Sequence, residues 1–238
     1  REAAVTDRPI PFSAPMVAAL RAGSKSQTRR AITPRGRVSL FDGSWSDGYV
    51  LDPGNQAWRD REIGVVKGDR LWVRESYFQF GHWAPIEGAQ TKGGRQKWGF
   101  VADRPEILFD APAQYRKGMH SADPAAPAWP KRLGRFMPRA ASRMTLLVTD
   151  VRVQRLQDCS EEDAIAEGIE RAPWRSDKWL NYLHQSGAFI DPVESYSSLW
   201  DSINGAGAWE QNPWIVAYSF EVEHRNIDAH ARPPGCEE

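Results

Sequence analysis

The chain is predicted to be α+β: a small, mostly antiparallel β-barrel with short helices packed around it and long loops inserted between its strands. Three observations predict this. At least four strand-like segments and three or four short helix-like segments follow one another with no βαβ rhythm, which points away from a parallel sheet. The clearest strands alternate apolar and polar residues, as sheets with one covered face do. The 238 residues are generous for one such domain, so the surplus falls in insertions.

Taken in order, Arg1–Ile10 reads as a tail entering a first strand. Ser13 offers an N-cap, Pro15 sits in the first turn, Met16, Val17 and Leu20 form an apolar face, and Gly23 stops the helix. Residues 33–60 are rich in glycine, proline and serine and read as a surface loop or short hairpin. After the turn Lys67-Gly68-Asp69, the run Leu71–Tyr77 is a strand that places Leu71, Val73, Glu75 and Tyr77 on one face and Trp72, Arg74 and Ser76 on the other. Residues 78–135 read as a long flap with aromatic walls, holding one strand pair at Trp98–Ala102 and Ile107–Asp110.

Met144–Leu156 is a strand bulged near Thr149-Asp150, and Ser160 caps an acidic-fronted helix ended by Gly168, which reads as structural. Residues 171–191 are irregular, with Trp174, Trp179, Tyr182 and His184. Glu194–Asn204 is a helix, and Ile215–Glu223 is the last strand. The expected organisation is one domain over 9–223, with insertions at about 33–60, 78–135 and 171–191 and flexible tails at 1–8 and 224–238.

Composition narrows the function. Lys+Arg and Asp+Glu balance at 31 each, so any attraction to nucleic acid must be local. From Trp129 to Leu156, Lys131, Arg132, Arg135, Arg139, Arg143, Arg152 and Arg155 face the single acid Asp150, which makes a phosphate-binding patch or a solvated basic face. No apolar run is long enough to span a bilayer and no secretory leader pattern occurs, so a cytoplasmic protein without a membrane partner is expected. Cys159 and Cys236 form no disulfide framework, and no metal-ligand cluster or cofactor motif is present. The eleven tryptophans are expected in the core or as pocket walls.

The candidate site is Gly23-Ser24-Lys25-Ser26-Gln27-Thr28-Arg29-Arg30, which gathers a lysine, hydroxyls and two arginines at a helix end. A basic helix terminus complementing the dipole is the plain alternative. Glu75, on the apolar face of its strand, would have a raised pKa unless a cation such as Lys25 pairs with it; a structural ion pair is the other reading. Arg139, Ser142 and Arg143 resemble a phosphate grip, although pairing with Asp150 or with carbonyls would explain them equally.

Gly23-x-Lys25-x-x-Thr28-x-Arg30 resembles the signature of the ASCH domains, in the PUA-like superfamily of pseudo-barrels associated with RNA and modified nucleobases. Gly68–Glu75, Met137–Arg143 and Asn212-Pro213-Trp214 look like its phage- and prophage-associated branch. The likeness covers roughly Pro9–Val222. Many ASCH domains carry Glu where Thr28 stands; Thr28 is similar instead to a bacterial branch whose Lys, Thr and Glu remove acyl groups from N4-acylated cytidines. The resemblance implies a hydrolase without metal or cofactor, with Thr28 as nucleophile, Lys25 as base and Glu75 as proton relay. Substrate contacts would come from Ser26, Arg30, Trp72, Tyr77, Arg139, Ser142, Arg143 and Trp214, by oxyanion support, stacking and phosphate or sugar contact. The implied partner is a modified cytidine nucleoside or nucleotide, tolerant of bulky acyl groups if the long loops widen the pocket. The alternative is a non-catalytic module binding RNA or modified DNA, and the oligomeric state is unspecified.

Overall fold

The computed structural model describes residues 5–34, 38–119, 122–184 and 186–229. Its strands are β1 (Asp7–Pro11), β2 (Gln27–Ala31), β3 (Arg70–Arg74), β4 (Tyr77–Gln90), β5 (Gln96–Leu108), β6 (Lys131–Arg132), β7 (Thr145–Arg155), β8 (Arg171–Ala172), β9 (Arg175–Leu180), β10 (Ala188–Phe189) and β11 (Trp214–Glu223). Its α-helices are α1 (Ala14–Arg21), α2 (Asp47–Leu51), α3 (Gln56–Ile63), α4 (Glu161–Ala166) and α5 (Pro192–Asn204). The mixed α+β class is as expected.

The main sheet has the order β1-β3-β7-β11-β2, antiparallel except for the parallel β1–β3 pair. Among the described residues no ladder joins the outer strands β1 and β2. Side chains bridge that gap: Arg30 Nη2 donates to the Pro11 carbonyl at 2.7 Å, and its guanidinium lies 5.1 Å from the Phe12 ring centre. The bulge expected near Thr149-Asp150 is present, since Ser219 pairs with Asp150 and Phe220 with Val148, leaving Thr149 over.

β11 has both faces covered. Val216, Tyr218 and Phe220 join Ile10, Leu20, Val73 and Leu146 in one core, while Ile215 and Ala217 join Trp179, Tyr196 and Trp200 in a second beneath α5. Burying each large apolar side chain contributes about 1.5–3 kcal/mol. α1 forms as its sequence dictates: Pro15 starts it, Val17 and Leu20 are buried, and Gly23 at φ 72° ends it in a conformation few other residues adopt.

Three expected loops are structured. In 38–63, α2 and α3 replace the loop or hairpin, because Leu40, Phe41 and Val50 bury against Trp214. The flap is a long β4–β5 hairpin edged by β6; of the strand pair expected within it, Trp98–Ala102 lies in β5 and Ile107–Asp110 only overlaps its end, and both pair with β4 rather than with each other. Residues 171–191 hold the sheet β10-β9-β8, with Trp179 packed into the second core. The folded chain also extends beyond 9–223: Asp7 pairs with Arg70, and Ile227 is 1% exposed. No described helix is long and apolar enough to cross a membrane. Cys236 lies outside the described residues.

Candidate functional site

Lys25 follows the turn that ends α1, and its side chain is fully enclosed. Nζ donates to the Glu167 carboxylate at 2.8 Å and to the Glu167 main-chain carbonyl at 2.7 Å. The turn after α4 makes this possible. Gly168 adopts φ 80°, and a Cβ there would stand 2.9 Å from Lys25 Cβ, so only glycine lets the two segments approach. Arg29 completes the cluster: Nη1 donates to Glu167 at 3.1 Å and to the Gln27 amide oxygen at 2.6 Å, and Nη2 pairs with Asp163 at 2.6 Å. Asp163 also takes Arg152 at 2.6 Å. Burial pushes the Lys25 pKa below its ordinary value even though Glu167 pulls it up.

Thr28 is 1% exposed and pairs across the ladder with Tyr218. It borders a cavity of about 60 Å³ with Glu167, Arg29, Tyr196 and Trp200. A larger cavity, about 380 Å³, lies at the β1–β2 gap and is lined by Arg8, Ile10, Arg30, Val65, Leu71 and Tyr218. Arg30 borders both. Neither takes a lining residue from 78–135 or 171–191, so the long insertions do not widen this site.

Glu167 is thus the acid paired with Lys25 and a wall of the small cavity that Thr28 borders, while Glu75 pairs with another cation. Its carboxylate accepts from Arg143 Nε at 3.0 Å and Nη2 at 2.7 Å, and no ion pair joins it to Lys25 among the described residues. The expected Lys25–Glu75 pairing is thus replaced by two separate pairs. The reason is supply: each cation finds its own acid, Glu167 in the turn after α4 for Lys25 and Glu75 just past the end of β3 for Arg143.

The expected phosphate grip is also spent internally. Arg139 pairs with Asp228 and Asp7, Arg143 with Glu75 and the Phe109 ring 3.7 Å away, and the Ser142 hydroxyl sits 3.0 Å from the carbonyls of Val73 and Met144. With Arg152 on Asp163 and Arg155 on Asp47, four of the seven cations of the Trp129–Leu156 stretch are neutralised by acids that fold in from other segments.

Trp72, Tyr77 and Trp214 are buried, at 8%, 2% and 4% exposure, so none presents a face to a base. The Tyr77 hydroxyl donates to the Phe136 carbonyl at 3.0 Å, and Trp214 packs on Phe41. Ser26 is exposed, its N–H donating to Ala166 O at 3.0 Å. The residue that sequence reasoning missed is Glu167. The helix before it carries a full capping box, Ser160 with Asp163, which reads as self-sufficient structure. Its pairing with Lys25 across 142 residues leaves no local signal.

Among the described residues, no group of His, Cys, Asp and Glu is placed to hold a metal ion. No family model, curated protein or solved structure matches the chain in comparisons with known proteins.

Proposed function

We propose that the protein is an amidohydrolase that removes acyl groups from the exocyclic N4 of N4-acylated cytidines, on a PUA-like sheet of the ASCH type. The observation that carries this reading is the buried Lys25, held by Glu167 and lowered in pKa, three residues before a Thr28 that borders the same cavity as Glu167. Glu167 orients Lys25 and takes a proton from its ammonium, and the amine so freed takes the Thr28 proton as Oγ attacks the acyl carbon. When the carbon–N4 bond breaks, Lys25 returns that proton to N4, releasing cytidine. Water, deprotonated by Lys25 in turn, attacks the threonine ester, and Lys25 passes that proton to the departing Thr28 Oγ as the carboxylic acid is freed. Glu75 takes no part, since Arg143 holds its carboxylate. The cavity at the β1–β2 gap, of about 380 Å³, is of the size that single nucleobase-like ligands occupy.

A second reading, nucleobase binding without turnover, is favoured by the near-complete enclosure of both Lys25 and Thr28, each 1% exposed. One assay separates them. The protein is incubated with N4-acetylcytidine and the ultraviolet change to cytidine is followed. Turnover abolished by Thr28→Ala and Lys25→Ala, with thermal melts retained for Thr28→Ala, supports the enzyme. Calorimetric binding of the nucleoside without turnover supports the module. Loss of turnover in Glu75→Gln with an unchanged melt would refute the assignment of Glu167 as the working carboxylate.

A further inference from the structure

The β4–β5 insertion carries a charge surplus that the rest of the chain does not. Residues 77–136 hold nine lysines and arginines against five aspartates and glutamates, a surplus of four in a chain whose formal total is zero. Among the described residues, none of these nine cations forms an ion pair. That contrasts with Arg139, Arg143, Arg152 and Arg155 just beyond. Asp103, the residue before Arg104, is taken by His82 at 2.8 Å.

The unpaired cations are interleaved with rings. Arg104 lies over Phe80 at 4.6 Å, and Phe80 leans on the buried Trp129 at 5.6 Å. Arg116 is anchored by donating to Ala126 O at 2.8 Å, while its Nε is buried with no partner. Phe80, Arg104, Gln114, Arg116 and Trp129 line a cavity of about 550 Å³. Beside it the Tyr115 ring, 42% exposed, meets Phe78 edge-on at 5.3 Å. Phe80 falls where the β4–β5 register shifts, between Gln79 and Gly81, which turns its ring toward Arg104 and Trp129.

We propose that this face of the β4–β5 hairpin docks single-stranded nucleic acid. Unstacked bases would lie on the Phe80–Arg104 stack and on Tyr115, and phosphates would meet Arg104, Arg116 and Lys117. A guanidinium resting on a ring offers its outer face to a base. A duplex, with its bases already stacked, cannot use these rings. The cavity shares no lining residue with the two that Arg30 borders, so strand binding and nucleoside turnover are separate results.

The test is fluorescence anisotropy of the full chain with labelled DNA and RNA single strands of roughly a dozen nucleotides, titrated across salt. Binding of either strand is expected, with a slope of log affinity on log salt of about −2 from three phosphate contacts. Phe80→Ala should weaken it by about ten-fold. Lys117→Glu, at an exposed position, carries the same test should Phe80→Ala lose its fold, and should weaken binding several-fold. The proposal is overturned by no binding at about 100 µM, the weak end of non-specific association. Equal affinity for a duplex of the same length or for heparin, a polyanion without bases, overturns it too, as does indifference to both substitutions.

Discussion

Replacing Glu167 with glutamine keeps its shape and removes one charge from a cluster that solvent does not reach. The side chains of Lys25 and Arg29 are 0% exposed and that of Glu167 is 3% exposed, with contacts at 2.8 and 3.1 Å. Removing one partner of a buried pair costs about 3–5 kcal/mol, because the remaining charge is stranded. Here Arg29 keeps Asp163, and Lys25 keeps the Glu167 carbonyl, so the lower end applies, about 3 kcal/mol. For a chain of this size that is a fall in Tm of about 6–12 °C. Urea unfolding and thermal melts of Glu167→Gln measure it directly. Adding Lys25→Met to Glu167→Gln removes the stranded ammonium and should restore about 1–2 kcal/mol. A loss under about 1 kcal/mol in Glu167→Gln, the size typical of exposed pairs, would refute the claim that the cluster is buried and mutually dependent.

Gly168→Ala should cost more than about 2 kcal/mol, since φ 80° strains any side chain and the new methyl meets Lys25 Cβ at 2.9 Å; an unchanged melt would contradict the close approach. Burial raises the Asp7 pKa, but bonds from Arg70 and Arg139 outweigh it and hold the carboxyl below its ordinary value. Its stabilisation is therefore present above the unfolded value and lost as pH falls through the lowered one. Asp7→Asn should cost about 1–2 kcal/mol at neutral pH, and the gap in urea midpoint between variant and parent should shrink as pH falls below the ordinary carboxylate range. A gap that persists in acid would rule this out. Cys159 is 7% exposed and burial pushes its thiol up to about 12, so peptide mapping should find it unalkylated by iodoacetamide at mildly alkaline pH in the native protein and alkylated in urea. Native labelling at the rate of a free thiol would count against that environment.

What could be read in the sequence was local. Ser13, Pro15 and Gly23 bracket α1, Ser160 and Asp163 cap α4, and the bulge at Thr149 sits where Thr149-Asp150 interrupts the apolar run. β4 was hidden because Gly81, Pro85 and Gly88 break its alternation, and the hairpin forms through cross-strand pairing with β5. The candidate site was half legible. Lys25 and Thr28 share one turn of chain, whereas choosing between Glu75 and Glu167 for Lys25 depends on how α4 lies against the β2 end. The basic stretch after Trp129 stayed undecided in sequence for the same reason, as Asp7, Asp47, Asp163 and Asp228 come to it from other segments.

The gap between β1 and β2 has a dynamic consequence. Elsewhere the main sheet is zipped by rows of backbone hydrogen bonds, but here its outer strands meet through the Arg30 contacts to Pro11 O and the Phe12 ring. Breaking that hydrogen bond and cation–ring contact costs about 1–2 kcal/mol, far below the cost of global unfolding, although Ile10 and Phe12 remain packed in the shared core. The sheet can breathe at this place while β3, β7 and β11 stay paired. Amide hydrogens along the facing edges of β1 and β2 would then exchange through local opening, with every ladder of the main sheet intact.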